Sequence, residues 1–154
     1  MIITAKGAGN GRMKAMIKPP LHKQSKSPVA TTKRRIQKLL TEYVRLRDGG
    51  CVMRHYNETG ACGGYTAADH IMSRAYTATY SNLDNLICLC SRHHIWWKPQ
   101  HPTEYAEIVR KILGPEKYAR LKYLSGTTLH MTAQDWIWEE MRVKKELKKL
   151  KAEE

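Results

Sequence analysis

Two stretches in the middle of the chain decide its reading: Ala67-Ala68-Asp69-His70-Ile71-Met72, and Leu83-Asp84-Asn85-Leu86-Ile87-Cys88-Leu89-Cys90-Ser91-Arg92-His93-His94. The first is short and strand-like. In the second, Cys90 and His93 stand about one turn apart, a spacing that suits two ligands of one tetrahedral zinc. Two more ligands must come from elsewhere. Cys51 and Cys62 are the natural pair, because Gly49-Gly50 precedes one and Gly63-Gly64 follows the other. Tight turns let backbone amides approach a sulfur. His55 and Cys88 compete for the same role. The expectation is a structural zinc on Cys51, Cys62, Cys90 and His93.

His93 and His94 are adjacent. If a helix begins near Ser91, they point about 100° apart and can hardly share one ion. His93 then faces the zinc and His94 faces outward, to a second, catalytic ion. Asp69 supplies a carboxylate for that ion, and carboxylate with imidazole suits Mg²⁺ or Mn²⁺, with Ni²⁺ or Zn²⁺ also compatible. Neutral imidazole is suited to activating water near neutral pH, which makes His70 the candidate base. Neighbours on a regular strand face opposite sides. Either the strand bends at Asp69-His70, or the two side chains reach a phosphate from two sides. Asn85 has an amide that can hold a backbone carbonyl or orient the base. Arg74, Arg92 and Lys98 are candidate phosphate contacts, and Trp96, Trp97, Tyr76 and Tyr80 can pack on bases or sugar. A tryptophan pair after a short helix is, however, more often core.

The charge points the same way. Lys and Arg outnumber Asp and Glu by 27 to 14, and the formal net charge is +13. Such an excess favours a polyanionic partner, nucleic acid before an anionic membrane surface. The first acidic residue is Glu42. Ten Lys or Arg precede it, including Lys33, Arg34 and Arg35. Residues 1–30 carry Gly, Pro, Ser and Lys without apolar periodicity and read as a disordered basic arm. No apolar run approaches the ~20 residues of a membrane span, and no N-terminal stretch reads as a signal peptide. A cytoplasmic location follows as the default, in which cysteines serve as thiols or ligands rather than disulfides. A helix is expected from Thr31 or Thr32 to about Arg47, with Ile36, Leu39, Leu40, Tyr43 and Val44 on one face. Others are expected from a Thr103 cap to Leu113, over about 116–124, and after a capping box at Thr132–Asp135.

The combined pattern, Asp69-His70 followed by Asn85-Leu86-x-x-Leu89-Cys90-x-x-His93-His94, resembles the HNH endonuclease signature. Arg47-Asp48-Gly49-Gly50-Cys51 before it and Trp96-Trp97 after it look like small phage-type members. The resemblance covers roughly residues 47–98. It implies an α+β chain with a ββα-metal, treble-clef-like core, flanked by helices. It also implies His70 as general base, Asp69 and His94 on one divalent ion, and Asn85 positioning the base or the fold. Many members add a separate structural zinc from two Cys-x-x-Cys knuckles. Here the first knuckle is Cys51 and Cys62 with His55 between, and the second ends in His93, an exchange zinc accepts. Residues 31–125 would form the nuclease domain and residues 126–154 a C-terminal helix. The implied activity is hydrolysis of DNA. The alternative is a zinc-stabilised DNA-binding module without catalysis, which needs neither Asp69-His70 nor an outward His94.

Overall fold

The computed structural model describes residues 27–153. The chain is α+β, with five α-helices and a two-stranded antiparallel sheet among those residues. Helix α1 spans Pro28–Asp48. Its N-cap is Ser27, whose hydroxyl accepts from the Ala30 amide at 3.2 Å, earlier than the expected Thr31 or Thr32. Pro28 explains the shift, since its fixed φ suits the first helical position. Thr32 lies inside the first turn and donates to the Pro28 carbonyl at 3.1 Å. Residues 28–30 of the expected disordered arm are therefore helical, and residues 1–26 lie outside the described residues. Gly49 closes the helix with φ of 61°, a left-handed conformation that favours glycine. Ile36, Leu40 and Val44 are buried, with Leu39 and Tyr43 packed beside them, the face expected from their spacing.

Strand β1 (Thr66–His70) pairs antiparallel with β2 (Leu86–Cys90), in a register running from Thr66↔Cys90 to His70↔Leu86. A two-stranded sheet is marginal alone in water and needs cover. Here both faces are covered. On one, Ala68, Leu86 and Cys88 pack with Ile36, Leu40 and Val44 of α1 and with Trp136 and Val143. On the other, Ile87 and Leu89 pack with Cys51, Met53, Tyr105, Ile108 and Val109. That explains why every residue of the unbroken run Leu86–Cys90 is buried.

After β2 the chain enters a π turn, Arg92–Trp97, which runs into the short helix α2 (Lys98–Gln100). Helix α3 (Pro102–Leu113) begins at its proline with His101 in the cap position, two residues ahead of the expected Thr103 cap. Helices α4 (Pro115–Ser125) and α5 (Ala133–Ala152) complete the fold. The capping box at Thr132 and Asp135 is formed, with Asp in place of the usual Glu or Gln. Helix α5 packs against α1 through Trp136, Glu140, Val143 and Leu147, while Ile137 and Met141 are exposed.

Two residues expected to touch nucleic acid join those helices instead. The Arg35 guanidinium pairs with the buried Glu140 carboxylate at 2.8 Å. The Lys33 ammonium lies 4.4 Å from the Trp136 ring centroid and 5.1 Å from that of Tyr80. Arg34 is exposed. Among the described residues no helix is long and apolar enough to cross a membrane.

Candidate metal and catalytic centre

Cys51, Cys62, Cys90 and His93 converge, with their ligand atoms all within 4.8 Å of one another. His93 Nδ1 lies 3.4 Å from Cys51 Sγ, 3.8 Å from Cys62 Sγ and 3.1 Å from Cys90 Sγ. Zn–S bonds of about 2.3 Å and Zn–N bonds of about 2.0 Å in a tetrahedron set sulfur and nitrogen about 3.5 Å apart. The observed separations straddle that value, so the donor set fits such an ion. His93 is fully buried, and its Nε2 donates to the Thr59 carbonyl at 3.2 Å. That bond fixes the tautomer and turns the Nδ1 lone pair toward the sulfurs.

The glycines act as expected. The Gly63 amide lies 3.4 Å from Cys90 Sγ. At Gly64, φ is +78° and a Cβ would stand 2.8 Å from Cβ of Ser91, so the loop can close on the start of the π turn only with glycine there. The two competitors fall away. His55 is exposed and accepts from Arg54 Nε at 3.1 Å, and Cys88 is buried among the apolar side chains on the α1 face of the sheet.

The thiols do not ionise alike. Burial works against ionisation of Cys90, but the Gly63 and His93 amides, the His93 ring and Cys51 outweigh it and bring its thiol to about 6. Burial pushes Cys51 up to about 12, and the charges of Cys90 and Cys62 act in the same direction against two backbone hydrogen bonds. A cation among the three sulfurs would favour the thiolate form of each.

The adjacent histidines part as expected. His93 faces the sulfurs, while His94, 45% exposed, sits with Nδ1 2.7 Å from Asp69 Oδ1. Asp69, one residue before the end of β1, lies on the α3 face of the sheet and is almost wholly buried. Its carboxylate also accepts from Lys98 Nζ at 2.8 Å on both oxygens and from the Tyr105 hydroxyl at 2.5 Å. Burial pushes the Asp69 carboxyl up, but the His94 hydrogen bond, the Lys98 charge and the Tyr105 hydroxyl outweigh it and hold it below its ordinary value. Burial and the neighbouring carboxylate raise the Tyr105 phenol well above its usual range, so it remains a donor.

His70 points to the other face of the strand, as alternation requires, against Tyr80. The strand stays regular through Asp69 and His70, so the two side chains flank its end from opposite sides. His70 Nε2 donates to the Tyr80 carbonyl at 2.9 Å, the one hydrogen bond of its ring among the described residues. Burial lowers its pKa, with the Arg74 charge acting the same way and the Tyr80 carbonyl opposing. The ring is therefore neutral near pH 7.

Asn85, which the motif sets beside the base, is fully buried, and its side chain hydrogen-bonds to backbone groups. Its Oδ1 accepts from the Met72 amide at 2.7 Å, and its Nδ2 donates to the carbonyls of Thr79 (2.9 Å) and Met72 (3.1 Å). It clamps both ends of the loop that leads from β1 to Tyr80, and so positions His70 without facing substrate. Asn85→Ala is expected to cost about 2–4 kcal/mol, since it strips partners from buried backbone groups. Urea unfolding checks this.

Other nominated contacts divide. Arg74 is exposed near His70, while the Arg92 guanidinium is held on the Ala61 carbonyl at 2.8 Å. Lys98 does not face outward as a phosphate contact; it lies on Asp69. Tyr80 is 7% exposed and packs edge-on against Trp136, which removes it as a base-stacking surface. Tyr76 is 44% and Trp96 66% exposed, whereas Trp97 stacks on His101 with centroids 5.2 Å apart. Tyr105 carries no signal in the sequence, and Arg47-Asp48 stands there only as part of the motif before Cys51. Arg47 reaches the carbonyls of Leu83 (2.9 Å) and Leu86 (2.7 Å), and Asp48 accepts from the Cys88 amide at 2.8 Å, which docks the end of α1 on β2.

No protein-family model matches this chain, and no curated protein or solved structure matches it.

Proposed function

We propose that the chain is a metal-dependent DNA endonuclease of the HNH type, with a zinc on Cys51, Cys62, Cys90 and His93 holding its fold. One observation carries this reading: a buried, neutral His70 with one nitrogen fixed and the other free stands at the end of the strand that also delivers Asp69 beside His94. Nothing in a zinc-stabilised scaffold requires that arrangement. Asp69 and His94 would hold the divalent ion, Mg²⁺ or Mn²⁺ by the preference of such ions for oxygen with some imidazole. Adjacent octahedral ligands at bonds of about 2.1 Å stand about 3 Å apart. The 2.7 Å between His94 Nδ1 and Asp69 Oδ1 is close to that separation. When bound, such an ion supplies positive charge to a phosphate and to a leaving oxygen.

The protein's own steps follow. Nε2–H of His70 stays on the Tyr80 carbonyl, which leaves the lone pair of Nδ1 for water. Nδ1 takes the proton as the water oxygen bonds to phosphorus. The bond from phosphorus to the 3′-oxygen breaks, that oxygen takes a proton from solvent, and the products are a 5′-phosphate and a 3′-hydroxyl. The resulting imidazolium keeps its hydrogen bond to Tyr80. Asn85 holds the loop that presents that carbonyl. Arg74 and the excess of basic residues supply salt-sensitive attraction to the backbone.

The neutral form of His70 is the active one. Burial holds its pKa below the ordinary histidine value, so the acid limb of the cleavage profile should be displaced to lower pH than that value, with cleavage lost as pH falls through it. A pH profile of the single-turnover rate checks the sign. The reading itself is tested by incubating zinc-loaded protein with end-labelled duplex, with and without Mn²⁺. Ion-dependent scission supports it. A protein that shifts the same duplex in a gel but never cuts it is a binding module.

A further inference from the structure

We infer that Lys98 is a resident cation on Asp69 that a divalent ion must displace, and that its release turns the ammonium toward the substrate phosphate. This rests on Asp69 being an ion ligand, as proposed above.

A carboxylate has about four lone-pair sites. On Asp69 all are taken: Oδ1 by His94 (2.7 Å) and Lys98 (2.8 Å), Oδ2 by Lys98 (2.8 Å) and Tyr105 (2.5 Å). No divalent ion can join this carboxylate until a donor leaves. Tyr105 is buried at 6% exposure in α3 and has nowhere to go. His94 is the second ligand itself. Lys98 differs from both. Its side chain is 26% exposed, on a flexible stem, in the three-residue helix between the π turn and α3. Ammonium and divalent ion also repel at this range, in a setting that screens them weakly. Occupation by one excludes the other.

The position of the ammonium suits a second task. It lies 3.3 Å from the His70 carbonyl and 4.5 Å from the Tyr105 ring centroid, hence at the end of β1 where base and ion would meet the scissile group. Once off Asp69, its nearest unmet anion is the bound phosphate. The cluster thus keeps its buried carboxylate neutralised before the ion arrives and delivers one positive charge to substrate afterwards.

The test measures Mn²⁺ binding to zinc-loaded full-length protein by calorimetry, for the wild type, Lys98→Met, Lys98→Gln and Asp69→Asn. Both Lys98 variants should bind Mn²⁺ at least about tenfold more tightly, the scale of one removed competing charge. Asp69→Asn should abolish that site. Equal or weaker binding by a folded Lys98→Met or Lys98→Gln protein overturns the inference. Should both variants misfold, the wild type decides: the Lys98 ammonium resonance in ¹⁵N-labelled protein must move on Mg²⁺ addition, and an unmoved resonance at ion saturation overturns the inference. Tighter Mn²⁺ binding without DNA cleavage by any variant keeps the displacement of Lys98 by the ion, and removes the nuclease together with the turn of the ammonium toward substrate. Cleavage by the wild type with unchanged Mn²⁺ affinity in Lys98→Met does the reverse.

Discussion

Cys90→Ser should release the zinc and unfold the centre of the molecule. Cys90 ends β2, two residues ahead of the π turn, and stands 3.1 Å from His93 Nδ1. Its sulfur also receives the Gly63 amide, so its loss frees both the helix start and the loop that returns from Cys62. Structural zinc sites in small domains carry apparent binding free energies of about 10–16 kcal/mol, and in such domains binding is folding. The two-stranded sheet beside the cluster has no means of replacing that contribution, since its other support is side-chain packing alone. The expected result is zinc stoichiometry falling from one per chain to none, with a melting temperature lower by about 15 °C or more. Cys88→Ser is the matched control. That thiol is equally buried but faces the α1 core, so zinc should be retained and only packing lost. Zinc released to a chromogenic chelator, read beside thermal unfolding, separates the two variants.

His70→Ala is expected to lower cleavage by about 10²–10⁴-fold, the usual contribution of a positioned base. The loss should fall on the rate of the chemical step. DNA affinity should change little, because His70 is 8% exposed and carries no charge near neutral pH. Zinc content should also be unchanged, since His70 packs against Tyr80 on the face of β1 opposite Asp69. His70→Gln sharpens the test. An amide can keep the hydrogen bond to the Tyr80 carbonyl and so preserve the loop, yet it cannot take a proton. Single-turnover rates of both variants, with gel-shift affinities beside them, distinguish a missing base from a disturbed fold. Equal rates in His70→Gln and the wild type would place the base elsewhere.

The cluster of three cysteines and His93 is legible in the sequence because ligand chemistry is local. Cys90-x-x-His93 sits on one turn, and glycines mark the bends that bring Cys51 and Cys62 to it. Helix α5 is equally legible, since Thr132 and Asp135 cap it through groups within four residues of each other. The start of α1 is misplaced because Thr31 and Thr32 are good caps in isolation, while Pro28 makes Ser27 the better one. What the sequence hides is non-local. The Tyr80 carbonyl that fixes His70 has no residue-type signal, because any residue could supply it. Tyr105 reaches Asp69 across 36 positions of chain, and its own helix marks it only as part of an apolar face. Lys98 looks like a surface phosphate contact until the carboxylate beneath it is seen. Arg35 and Lys33 belong to a basic run, yet each is tied to a partner on α5 that appears more than a hundred residues later.

Hydrolysis of DNA by the proposed centre is read from supercoiled plasmid. Zinc-loaded wild-type protein should convert the plasmid to nicked or linear forms when Mn²⁺ or Mg²⁺ is added and not in its absence. A DNA ligase should reseal the nicks, because the ends are 5′-phosphate and 3′-hydroxyl. Plasmid left supercoiled by a protein that binds it and holds its zinc would contradict the account and leave a non-catalytic DNA-binding module.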